Sequence, residues 1–166
     1  QPCVYWNNKG NLIEDKSIFT GIQVNASKLE LQDIDQDGDL DIILLSNTSP
    51  DQFGQTPKQF ILINKGDSNF TDETSEIAPE FEFIGNATDI TFGDFNLNGL
   101  PDFIVSGHWM PLTFFEKEKT QYVKKSVQGL NNSNGLWNDL EVADFDKDGD
   151  LDIIAGNWGL NTRLEA

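Results

Sequence analysis

The 166-residue chain has little cysteine, little histidine and little positive charge. A single cysteine, Cys3, excludes an internal disulfide. A single histidine, His108, stands without a Ser or Cys motif to partner it, so it builds no nucleophilic triad. Lys and Arg number 11 against 28 Asp and Glu, giving a formal charge of −17 and a pI near 4.1. That balance excludes nucleic acid, because phosphate binding needs clustered cations. It also argues against anionic membrane surfaces. No apolar run approaches the roughly 18 residues of a transmembrane segment. No signal peptide is visible at the start, so a secreted protein would carry that segment ahead of Gln1. The sequence offers no long amphipathic helix, Gly-rich phosphate loop, nucleophile elbow or paired-Cys zinc spacing.

What the chain has is acid in a pattern. Asp33–Asp41 reads DIDQDGDLD, and Asp144–Asp152 repeats it as DFDKDGDLD. A diluted version, DFNLNGLPD, spans Asp94–Asp102. Before each loop, apolar residues alternate: Leu29 and Leu31, Ile90 and Phe92, Leu140 and Val142. After each comes a short apolar run: Ile42–Leu45, Phe103–Val105 and Ile153–Ala155. Period-2 alternation and short β-branched runs are strand signals, so each loop is predicted to turn a hairpin. A second hairpin is predicted within Phe60–Ile77 around an Asn-Lys-Gly turn, echoed by Val4–Ile18 and by Phe114-Phe115 with Tyr122-Val123.

Two hairpins per unit make a four-stranded sheet, and a repeated four-stranded sheet is a β-propeller blade. The register divides the chain into residues 1–25 (the last two strands of a preceding blade), 26–82 (a blade), 83–130 (a blade) and 131–166 (the first two strands of a further blade). The expectation is an all-β fragment of a longer propeller; the alternative is a short chain that completes its ring by oligomerising.

Alternating carboxylates are hard oxygen donors, which select Ca²⁺ or Mg²⁺. Flexible coordination by six to eight oxygens favours Ca²⁺. The candidate ligands are Asp33, Asp35, Asp37, Asp39 and Asp41 in the first loop. In the middle loop they are Asp94, Asn96, Asn98, Leu100 (through its carbonyl) and Asp102. In the third they are Asp144, Asp146, Asp148, Asp150 and Asp152. The middle loop is the weaker site, since its five acids fall to two. An EF-hand would place Glu at the twelfth position, where Leu44, Val105 and Ala155 stand. The apolar residues at position 2 (Ile34, Phe95, Phe145) and position 8 (Leu40, Pro101, Leu151) are expected to tuck under the sheet.

These loops and their flanking strands resemble the FG-GAP/VCBS repeat of integrin α-subunit propellers and bacterial secreted proteins. Leu136–Asn161 is especially similar to the bacterial type. The resemblance implies a seven-bladed propeller, calcium in hairpin loops on one face, and an extracellular, cell-surface or periplasmic location. It implies binding or scaffolding rather than catalysis, with a protein or glycan partner, or service as the recognition part of a larger secreted enzyme. The FG-GAP words themselves are degenerate: Phe92-Gly93, Ser106-Gly107 and Ala155-Gly156.

Finally, SGHWMP (Ser106–Pro111) and AGNWGL (Ala155–Leu160) place Trp109 and Trp158 at matching points just past a strand. They are either blade-packing residues or an aromatic platform for a sugar or peptide. His108 aligns there with Asn157 and reads as a polar loop residue.

Overall fold

The structure, a computed structural model, describes residues 2–49 and 54–159. Its strands run in hairpins. β1 (Val4–Asn8) and β2 (Asn11–Asp15) form a two-stranded sheet. β3 (Ala26–Gln32), β4 (Asp41–Ser46), β5 (Phe60–Asn64) and β6 (Phe70–Asp72) form a four-stranded antiparallel sheet in chain order. β7 (Asn86–Gly93), β8 (Asp102–Met110), β9 (Thr113–Glu118) and β10 (Gln121–Lys125) repeat it. β11 (Gly135–Ala143) and β12 (Asp152–Asn157) form the last hairpin, and β11 also pairs with the tip of β8.

The acidic loops connect β3 to β4, β7 to β8 and β11 to β12. All three hairpins keep one register. Position 9 of each loop opens the second strand, and it pairs with the residue just before the loop: Asp41 with Gln32, Asp102 with Gly93, Asp152 with Ala143. Each ladder then slips by one residue, skipping Ser27, Thr88 and Asn138. Such bulges re-aim a side chain. Here Ser27 Oγ donates to the Ala87 carbonyl of the next unit at 2.7 Å, and Thr88 Oγ1 donates to the Trp137 carbonyl of the unit after it at 2.8 Å.

The core lies between units. Ile34, Ile43, Leu45, Ile61 and Ile63 of the β3–β6 sheet meet Ile90, Phe103, Val105, Phe115 and Tyr122 of the β7–β10 sheet. Phe81, in the connection, stands edge-on to Phe103 and Phe115 at 5.5 and 6.1 Å. A second cluster joins Phe95, Ile104 and Phe114 to Leu140, Ile153 and Ala155 of the last hairpin. A third packs Phe19, Val4 and Ile22 on the other face of the β3–β6 sheet, against Ile42, Leu44, Phe60 and Leu62. Each fully buried side chain of this kind stabilises by about 1.5–3 kcal/mol.

Three expectations need correction. Phe60–Ile77 is not strand throughout: β6 ends at Asp72, and the helical turn α1 (Thr74–Ile77) follows. Asp72 Oδ1 accepts from both the N–H and the hydroxyl of Thr74, and this local capping stops the strand. Second, position 2 and position 8 do not share one environment. Ile34 is buried and Phe95 half-buried, but Phe145 is 51% and Leu40 56% exposed. Position 2 packs toward the following unit, and position 8 toward the preceding one: a Cβ on Gly93 would stand 2.7 Å from Leu151 Cδ1. Phe145 has no following unit and Leu40 no preceding inner strands among the described residues. Third, Trp109 and Trp158 do not match. Ser46, Gly107 and Asn157 are equivalent in the ladders, so Trp158 corresponds to His108, and Trp109 lies inside β8.

Candidate metal centres

Each acidic loop is curled by its own side chains. In the first, Asp33 accepts the Asp37 and Gly38 N–H groups, both at 3.1 Å, and Asp37 accepts Asp39 N–H at 2.9 Å. The third is the same: Asp144 takes Asp148 and Gly149 N–H, and Asp148 takes Asp150 N–H. The middle loop reproduces the set with amides. Asp94 accepts Asn98 and Gly99 N–H, and Asn98 accepts Leu100 N–H at 2.8 Å. Position 4 sits at positive φ in all three (Gln36 64°, Leu97 57°, Lys147 65°). So does the glycine at position 6 (98°, 84° and 101°). The shared backbone therefore needs only acceptors at positions 1 and 5 and glycine at 6.

This curl gathers oxygens. Asp33, Asp35 and Asp37 place carboxylate oxygens within 4.8 Å of one another, as do Asp144, Asp146 and Asp152. Both groups could hold a metal ion, and all-oxygen carboxylate sets suit a hard cation. Asp39 and Asp150, at position 7, are exposed and fall outside both groups. In the middle loop, Asn96 is engaged by Glu116 at 3.1 Å, and no carboxylate triad forms among the described residues.

Position 9 has a structural duty as well. The two Asp41 oxygens accept Ile34 N–H at 2.7 Å and Asn64 N–H at 2.8 Å, tying loop to β5. Asp152 accepts Phe145 N–H at 2.9 Å. Asp102 accepts Lys117 N–H through Oδ1 at 2.8 Å, while its buried Oδ2 has no hydrogen-bond partner. Burying that oxygen carries a desolvation cost. Burial raises the pKa of both Asp41 and Asp102 above the ordinary carboxylate value.

Sequence reasoning missed Lys117. It comes from β9 of the second unit, is buried, and its Nζ donates to the Ile34 carbonyl inside the first acidic loop. Burial lowers its pKa, and Asp33, Asp35 and Asp41 oppose that. The Nζ also sits over the Tyr122 ring at 5.3 Å. Period-2 spacing puts Lys117 on the face of Thr113 and Phe115, which was the available signal. Asp89 was missed too: it is buried, pairs with Lys28 at 2.9 Å and accepts Leu140 N–H at 2.7 Å, touching all three units.

At the other end of the hairpins, His108 stands between the two tryptophans, 5.7 Å from Trp109 and 6.0 Å from Trp158. Its Nε2 lies 3.1 Å from Asn138 Oδ1. Trp109 is 62% exposed at φ 58°, and it borders a groove with Asn47, Thr48, Gln55, Thr56 and Asn86.

The FG-GAP-like repeat family matches residues 33–105 and again 98–155, which takes in all three loops and the units between them. The chain belongs to the FG-GAP-like repeat family. The FG-GAP words then have physical content here. Gly93 makes room for Leu151, and a Cβ on Gly107 would meet the Asn86 carbonyl at 2.4 Å, so only glycine fits at that bulge. FG-GAP-like repeats form propeller-like modules, and antiparallel sheets stacked through shared cores agree with that. No curated protein matches the chain. No helix of the described residues is long and apolar enough to cross a membrane.

Proposed function

We propose that this chain is a calcium-binding β-propeller module that works outside the cytoplasm by binding and scaffolding, not by catalysis. The observation that carries the reading is the pair of carboxylate triads on repeated hairpin turns. Asp33, Asp35, Asp37 and Asp41 would hold one ion with the Asp39 carbonyl. Asp144, Asp146, Asp148 and Asp152 would hold another with the Asp150 carbonyl. Asp94, Asn96, Asn98, Asp102 and the Leu100 carbonyl would hold a third, weaker one. The ion fixes a turn that hydrogen bonds already shape, so its role is structural: binding the folded state alone stabilises it. Calorimetric titration of chelated protein with CaCl₂ tests this. Two tight sites and a weaker one are expected; absence of a binding heat sinks the proposal.

One observation favours a glycan as the recognised partner. Trp109 presents an exposed indole beside a groove of amide and hydroxyl side chains, the combination that meets both the apolar face and the hydroxyls of a sugar. Trp109→Ala should abolish retention on a glycan array while leaving the melting temperature unchanged. Silence of the wild-type protein on the array removes the glycan reading. The same module could equally be the recognition part of a larger secreted enzyme, whose catalytic residues would lie in another domain.

A further inference from the structure

Two Asn-Gly pairs occur in the chain, Asn98-Gly99 and Asn134-Gly135. An asparagine amide is labile when the next main-chain nitrogen can reach its side-chain carbonyl carbon. Glycine is the best follower, because no Cβ blocks that approach. The structure places the two pairs in opposite settings. Asn98 and Gly99 are both exposed in the middle loop, and Gly99, at φ 84°, has open space around it. Gly135 is buried and opens β11, where it pairs with Met110 of β8. A Cβ there would collide with the Asn157 carboxamide, so its surroundings are tightly packed. In the first and third loops, Asp37 and Asp148 stand where Asn98 does, so an amide at that position is peculiar to the middle loop.

Three hydrogen bonds arrange the reacting atoms. Gly99 N–H donates to Asp94 Oδ2 at 2.8 Å, which sets a carboxylate against the proton of the attacking nitrogen. Leu100 N–H donates to Asn98 Oδ1 at 2.8 Å and polarises the carbonyl under attack. The same donor faces the oxygen on which negative charge develops. Asn98 N–H donates to Asp94 Oδ1 at 2.9 Å, so one carboxylate spans both residues of the pair.

We infer that Asn98 is a site of self-catalysed deamidation, with Gly99 as nucleophile and Asp94 as base. The Gly99 nitrogen bonds to Asn98 Cγ and gives its proton to Asp94 Oδ2. The Cγ–Nδ2 bond then breaks, Asp94 returns the proton to the leaving nitrogen, and ammonia departs. A cyclic imide remains. Water opens it by breaking one of its two C–N bonds. Opening at Cγ leaves aspartate at position 98; opening at the main-chain carbonyl carbon leaves isoaspartate. One water is consumed and one ammonia released, with no change of oxidation state. The aspartate product gives the middle loop a third acid, in the place that Asp37 and Asp148 hold in its neighbours. The isoaspartate product lengthens the main chain at the turn and pulls Gly99 away from Asp94. The middle loop thus carries a slow, one-way change of charge. Any gain in cation affinity rests on the calcium reading above; the reaction itself does not.

Peptide mass spectrometry on the protein held in chelator at neutral pH, followed over time, tests this. Position 98 should convert, with a matching release of ammonia, while Asn134 stays intact. The aspartate species should co-elute with Asn98→Asp on anion exchange. Asp94→Asn should slow conversion at position 98 by about tenfold or more. Asn134 is the internal check on folding, because a variant that unfolded would free Gly135 and speed conversion there. Should Asp94→Asn unfold, the wild-type contrast between the two pairs still decides. No conversion at position 98, equal conversion at both pairs, or an unchanged rate in folded Asp94→Asn overturns the inference. Calcium calorimetry in parallel separates it from the proposed function. Conversion in a protein that binds no calcium supports this inference and fails that one; calcium binding by a protein whose Asn98 stays intact in chelator does the reverse.

Discussion

Lys117 shows how much one side chain can carry between units. A buried ammonium in the neighbouring sheet donates into the first acidic loop and faces three of its carboxylates. Because its folded pKa lies below 10.5, the native state binds fewer protons than the unfolded chain between those two values. Stability supplied by this group therefore rises with pH through that window. Urea denaturation from pH 8 upward should show wild-type protein gaining on Lys117→Met as the pH approaches 10.5; a constant difference contradicts it. The loop glycines are a second test at this scale. Gly38 and Gly149 adopt φ of 98° and 101° with open space around them, so only backbone strain opposes a side chain. Gly38→Ala should cost about 1 kcal/mol or somewhat more, measured by chemical denaturation.

Among the elements, the middle hairpin is the informative one. It has the same turn, the same positive-φ positions and the same backbone hydrogen bonds as its acidic neighbours, with amides in place of acids. Geometry and charge are therefore separable, and Asn96→Asp with Asn98→Asp should strengthen calcium binding at that loop by about tenfold or more, because ligand charge tunes affinity in such sites. Titration calorimetry of the double variant reads it directly; an unchanged weak site would mean that Glu116 and the orphaned Asp102 oxygen, not charge, set affinity. Hairpins, their order and the loop spacing were legible in the sequence because period-2 patterns and Asp-Gly turns are local. The helical turn at Thr74–Ile77 was hidden, since it follows from one carboxylate capping Thr74. The bulges at Ser27, Thr88 and Asn138 were hidden too, but the mismatch of the tryptophans was legible: Asp94 and Asp144 open equivalent loops 50 residues apart, whereas Trp109 and Trp158 are 49 apart. The burial of Lys117 had only the period-2 spacing of β9 to signal it, and the opposite directions in which positions 2 and 8 pack depend on neighbouring units and have no local signature.

At the scale of the whole molecule, the protein is a row of sheets whose cores lie between units rather than within them. Its acidity is concentrated in the turns that connect inner strands, and the two carboxylate triads lie there. The central claim is that cations at these turns hold the row together. Thermal unfolding of chelated protein, with and without saturating CaCl₂, tests it most directly. Two sites occupied at about a hundredfold over their dissociation constants contribute roughly 5 kcal/mol, which raises the melting temperature by roughly 10 °C or more. Superimposable melting curves in chelator and in calcium would contradict the account.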